Sequence, residues 1–134
     1  MRIYFAGSIR GGRNDWSIYK DIISALSTYG TVLTEHVGDS ELSITGEDLL
    51  DRVIHDRDLD WLRSCDLLVA EVTTPSLGVG YEIGKATEWG MRVLCLYRPS
   101  VTPTLSAMIA GCGAEVHQYQ DAAELSVIFT KYFG

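Results

Sequence analysis

Short apolar runs rich in β-branched residues alternate along this chain with longer stretches whose apolar positions recur every three or four residues. That alternation is the pattern of βαβ units wound around a parallel sheet. Five strands are predicted, at Arg2 to Ala6, Thr31 to His36, Leu67 to Val72, Arg92 to Tyr97 and Glu115 to Tyr119. Between the first two, Ile18, Ile22, Ala25, Leu26 and Tyr29 fall on one helical face, with Gly30 as the expected C-cap. A second helical segment runs from Thr45 to Cys65, where the apolar phase drifts near His55 and predicts either two helices or one kinked helix. A third follows Pro75 and stops at Gly90, a short one covers Leu105 to Ile109, and Asp121 caps the last, which carries Leu125, Ile128, Phe129 and Tyr132. The expected fold is α/β: a doubly wound, Rossmann-like five-stranded parallel sheet flanked by helices. With 134 residues, 46% of them hydrophobic, it forms one domain over residues 1–134, and no repeat or low-complexity tract divides it.

Doubly wound sheets bind ligands at the carboxyl ends of their strands. Here that edge comprises Gly7 to Arg13, His36 to Asp39 and Thr73 to Gly80. Two carboxylates stand close by in unusual places. On the third helix Glu82 lies about 60° from Val79, at the margin of the stripe formed with Ile83 and Ala86. On the second, Asp58 falls in the middle of the stripe made by Ile54, Trp61, Leu62 and Cys65, while Asp56, Asp60 and Arg63 read as a solvated face. An ionised carboxylate on a packing face costs several kcal/mol unless it is paired, hydrogen-bonded or protonated. A structural account exists for each: Asp58 pairing with an arginine, Glu82 accepting from donors at a helix start. The functional account is a pair that divides the roles of nucleophile and proton donor at an anomeric carbon. Tyr4 on the first strand can orient one of them, although a buried tyrosine usually has a partner in any case.

The GSIRGGR loop, residues 7 to 13, can present backbone N–H groups and two arginines to an anion, or can be an ordinary βα turn. Ser76 and Gly78 open the third helix, where unpaired N–H groups favour a negative ligand; a plain N-cap is the competing role for Ser76. The P-loop signature is absent, and the Gly78, Gly80, Gly84 spacing is one residue too long for a dinucleotide fingerprint. His36, His55 and His117 lack metal-ligand spacing, and no G-x-S-x-G elbow marks a serine hydrolase. Trp16, Trp61 and Trp89 are expected in the core. A net charge of −7 argues against a nucleic-acid polymer and for a small-molecule partner. Three separated cysteines, Cys65, Cys95 and Cys112, suit a reducing compartment, and MRIYFAGSIR lacks the apolar core of a secretory signal. No apolar run approaches the ~20 residues of a membrane span. A cytosolic or nuclear location is expected.

The segments YFAGSIRGGR, VLTEHV, IHDRDLDWL, AEVTTPSLGVGYEIG and LSAMI occur in an order that resembles the 2′-deoxynucleoside 5′-phosphate N-hydrolases, of the nucleoside 2-deoxyribosyltransferase superfamily. The resemblance extends from Ile3 to about Ile109. It implies a flavodoxin-like homodimer that needs no cofactor and cleaves a deoxynucleoside monophosphate into free base and 2-deoxyribose 5-phosphate. By the same resemblance Glu82 is the nucleophile, forming a covalent deoxyribosyl intermediate, Asp58 the acid that assists base departure, and Tyr4 the residue that orients the nucleophile. Gly7, Ile9, Arg10 and Gly11 match the first substrate loop, His36 a residue near the base, and Ser76 and Gly78 the phosphate side. Ser106 matches a serine supplied by the neighbouring subunit. Alternatives that remain open are a deoxyribosyltransferase, a hydrolase of cytidine-type or 5-hydroxymethylpyrimidine monophosphates, and a non-catalytic nucleotide sensor.

Overall fold

The computed structural model describes residues 1–8, 15–34 and 50–134. Five strands, β1 (Arg2–Ala6), β2 (Thr31–Thr34), β3 (Leu67–Glu71), β4 (Arg92–Tyr97) and β5 (Glu115–Gln118), pair in the order β2-β1-β3-β4-β5, and every pairing is parallel. Five helices connect or follow them: α1 (Trp16–Leu26), α2 (Asp51–Arg63), α3 (Leu77–Glu88), α4 (Ala107–Ala110) and α5 (Ala122–Phe133). The strand order reverses between β1 and β3, which opens a crevice at their carboxyl ends in folds of this type.

Both sheet faces are covered, so β1 and β3 read as continuous apolar runs. Side chains alternate between two cores. Ile3, Phe5, Leu67 and Val69 pack beneath α1 and α5, where Tyr19, Ile22, Leu26, Leu125 and Phe129 complete one cluster. Tyr4, Ala6, Leu68 and Ala70 face the other way, against Leu62 of α2 and Val79, Ile83 and Ala86 of α3. The second face also holds the buried carboxylates Asp58 and Glu82.

Several boundaries differ from expectation. β2 ends at Thr34 among the described residues, and the rest of its expected length lies outside them. Of the helical segment expected over Thr45 to Cys65, residues 45–49 lie outside the described residues, and from Asp51 to Arg63 α2 is one uninterrupted helix. Its apolar phase drifts at His55 because that ring turns to α3, its Nε2 meeting the Tyr81 hydroxyl at 2.9 Å. Gly30 is not a left-handed cap, since the positive-φ glycines are Gly90 and Gly113. A glycine is needed there because a Cβ would stand 2.3 Å from the Met1 carbonyl oxygen. The tryptophans are half-buried instead of fully interior. Each lies beneath a cation: Lys20 over Trp16, Arg57 over Trp61 and Arg63 over Trp89.

Candidate active site

α3 begins where the Ser76 side chain accepts a hydrogen bond from the Val79 N–H at 3.3 Å, so the N-cap role expected of this serine is realised. Its oxygen is the acceptor in that bond, and the hydroxyl proton stays available to donate. From this start, Val79, Ile83 and Ala86 turn onto the sheet and carry Glu82 with them, leaving it 8% exposed. Across from it, α2 packs Leu62 fully and buries Asp58 to 6% exposure on the same side. Tyr4, almost fully buried, rises from β1 between its neighbours in the same cluster. The three residues expected to be catalytic thus come from one strand and two helices and converge on one face of the sheet.

Their electrostatic situations differ. Burial pushes the Glu82 carboxyl up from 4.5 to about 7, hydrogen bonding from the Tyr4 hydroxyl pulls it partly back, and the negative charge of Asp58 adds to the rise. Glu82 Oε2 is buried with no hydrogen-bond partner among the described residues. No ion pair engages Glu82 there either. Asp58, by contrast, is paired: Arg57 donates to its Oδ1 from Nε at 3.0 Å and from Nη2 at 2.9 Å. The arginine partner anticipated from sequence is present, and its guanidinium lies 4.6 Å over the Trp61 ring. One carboxylate is therefore charge-compensated and the other is poised between its two protonation states near neutrality. Such an arrangement can run nucleophilic attack and proton transfer side by side.

The substrate-side residues are spread more widely. Gly7 follows β1 where a Cβ would come within 2.9 Å of the Tyr19 ring, so close packing by itself demands glycine. Ile9, Arg10, Gly11 and His36 lie outside the described residues. Gly78 has open space around a notional Cβ, whose nearest neighbour would be Ser76 Oγ at 3.9 Å. Ser106 is exposed at the start of α4 and makes no side-chain cap bond. Together with Ser76 it lines a cavity of about 500 Å³ walled by Val72, Val79, Ile83 and Ile109. Glu82, Asp58 and Tyr4 do not line that cavity. Leu77 and Met108, beside it, are 96% and 81% exposed.

Sequence reasoning missed two further buried carboxylates, Glu71 and Asp15, and Arg98, which pairs with both. The signal was available. Glu71 ends the run LLVAE, and a charge closing a fully apolar strand is as anomalous as one on a helix stripe. Among the described residues no group of three His, Cys, Asp or Glu side chains could hold a metal ion.

A family model described as Nucleoside 2-deoxyribosyltransferase matches residues 3–123. The chain is 54% identical over 137 residues to the 5-hydroxymethyl-dUMP N-hydrolase of Danio rerio, spanning 99% of this chain and 96% of that one. It is 49% identical over 137 residues to the human protein of the same name, spanning 98% and 78%. Among solved structures, the CMP N-glycosidase of Clostridium botulinum superposes with a TM-score of 0.70 at 21% identity, over 98% of this chain and 99% of that one. That last similarity concerns the fold.

Proposed function

The chain belongs to the nucleoside 2-deoxyribosyltransferase family, and on that footing we propose that it hydrolyses the N-glycosidic bond of 2′-deoxynucleoside 5′-monophosphates, releasing free base and 2-deoxyribose 5-phosphate. The observation that carries the proposal is Glu82: a buried carboxyl with one oxygen unpartnered and a pKa near 7, beside Asp58 and Tyr4.

In this reading Asp58, an ion-paired carboxylate in the unliganded fold, takes up a proton from solvent as substrate enters. Ionised Glu82 then attacks C1′ as the bond to the base breaks through an oxocarbenium-like transition state, and Asp58 passes its proton to the departing base. The resulting glycosyl ester is then cleaved by water, whose proton returns to Asp58 as the second C1′ bond forms and the Glu82 carboxylate is regenerated. Tyr4 holds the carboxylate in line. Desolvation by the α2 and α3 side chains raises the energy of the charge that must leave Glu82 for the sugar, and so favours attack once substrate fills the cleft. Ser76, Ser106 and Arg10 are assigned to the 5′-phosphate. Ser76 and Ser106 of one chain already line a single cavity, and a Ser106 from a second copy is assigned to the site only because the family resemblance implies it. Leu77 and Met108, large apolar side chains left in water beside that cavity, are the surface such a copy would cover.

For the base, the Danio rerio and human relatives carry 5-hydroxymethyl-dUMP in their names, and this nucleotide is the first substrate to test. The free thiols of Cys65, Cys95 and Cys112 fit a reducing compartment, cytosol or nucleus, which fractionation of the expressing cell checks. The decisive assay follows base release from a panel of deoxy and ribo monophosphates, with and without phosphate, and mass analysis of acid-quenched enzyme. The expected adduct is one deoxyribose 5-phosphate on the peptide containing Glu82. Sugar exchange to an added free base without net hydrolysis would make it a transferase, and binding without turnover a sensor.

A further inference from the structure

At the carboxyl end of the sheet, on the face opposite Glu82, several polar side chains are buried together. Glu71 continues the Leu67, Val69 series and is fully buried, with Asp15 and Thr73 nearly so. Arg98, just past β4, stands between the carboxylates, donating from Nη2 to Asp15 Oδ1 at 2.6 Å and from Nε to Glu71 Oε2 at 3.1 Å. The Tyr119 hydroxyl donates to the same Glu71 oxygen. Two carboxylates on one guanidinium leave Arg98 no uncompensated charge to offer an incoming anion.

What the cluster does hold is the turn between β3 and α3. The Thr73 N–H donates to Glu71 Oε1 at 2.7 Å and its hydroxyl to Oε2 at 3.0 Å, while the Arg98 N–H donates back to Thr73 Oγ1 at 3.0 Å. The Thr74 hydroxyl donates to Asp15 Oδ2. Pro75 then fixes its own φ, and Ser76 follows at the helix cap. Buried ion pairs gain little stability over apolar side chains of equal volume, so their expense is better explained by what they orient. We propose that Asp15, Glu71, Thr74 and Arg98 are positioning residues that clamp the 73–75 turn and thereby set the Ser76 hydroxyl for the 5′-phosphate of the substrate.

This rests on the phosphate role given to Ser76. The test compares Thr74→Val, which deletes one link of the clamp at nearly constant volume, with Thr74→Ser, which keeps it. Calorimetric binding of 2-deoxyribose 5-phosphate is measured alongside KM and kcat for a deoxynucleoside monophosphate. Thr74→Val should weaken sugar-phosphate binding and raise KM together by about fivefold or more with kcat little changed, and Thr74→Ser should restore both. A purely structural role would lower the melting temperature and leave the affinity alone, and that result overturns the proposal. So does a Thr74→Ser protein as impaired as Thr74→Val. If the unaltered protein releases no base yet Thr74→Val still weakens sugar-phosphate binding, the hydrolase reading falls and the clamp stands. If it binds no sugar phosphate at all, both fall.

Discussion

Replacing Glu82 by glutamine should remove activity and, above neutrality, make the protein more stable. In the open chain this carboxyl ionises near 4.5, and in the fold near 7, chiefly because burial penalises the charge. Below 4.5 both states are protonated, and the neutral side chain sits in the fold without penalty. As pH rises from there through 7 the unfolded state loses its proton first, and that stability is progressively lost. The gap corresponds to about 3 kcal/mol at pH 8, taking 1.36 kcal/mol for each tenfold change in proton affinity. Glutamine keeps the shape and the acceptor facing Tyr4 but never ionises. The advantage of Glu82→Gln over the parent should therefore be small at pH 4.5 and grow to about 3 kcal/mol by pH 8, a melting-point gain on the order of 10 °C. Urea unfolding of both proteins across that range measures it directly. A stability difference that stays constant between pH 5 and 8 would refute the reasoning, because it would mean that Glu82 carries no buried charge. The trade is typical of catalytic groups, whose environments are arranged for reactivity at the expense of the fold.

The same carboxyl predicts an acid limb in kcat/KM near pH 7, activity falling about tenfold per pH unit below it; substrate binding to Glu82→Gln over the same range, which should lack the limb, separates it from ionisation of the phosphate. Arg98→Met leaves Asp15 and Glu71 buried without their cation and should destabilise by about 3–5 kcal/mol in chemical denaturation, whereas loss of less than ~1 kcal/mol would mean that the ion pairs are dispensable. Leu77→Asp and Met108→Asp place charges on the apolar rim of the cavity, and sedimentation should show a monomer whose kcat/KM has dropped about tenfold or more if Ser106 acts across subunits. Asp121→Ala removes the acceptor for the Glu124 N–H at the start of α5 and should cost about 1 kcal/mol with activity intact.

The strands were legible because each is a run of apolar residues, and β1, β3 and β4 match their expected ranges to within a residue. Glu82 and Asp58 could be singled out because helical periodicity predicts which side chains face the sheet, and both are buried as that geometry requires. Periodicity said nothing of pairings between distant segments. Arg98 and Asp15 are 83 residues apart, and only the packing of β4 against β3 brings the arginine to Glu71. The drift at His55 was a similar failure, since a contact with Tyr81 belongs to neither helix alone. Crowding between distant groups is equally invisible to periodicity: the Met1 carbonyl oxygen, not a helix cap, accounts for Gly30, and the Tyr19 ring constrains Gly7 beside the loop expected to meet a ligand.

Successive side chains of β1 serve different halves of the molecule: Ile3 and Phe5 anchor the layer formed by α1 and α5, and Tyr4 belongs to the α2 and α3 side. Sliding that strand by a single position would bring Phe5 up beneath the helices that carry Asp58 and Glu82 and send the phenol into the opposite oily layer. On the role proposed for Tyr4, a misthreaded copy would be chemically silent as well as badly packed, so that one residue's alternation couples correct packing to turnover.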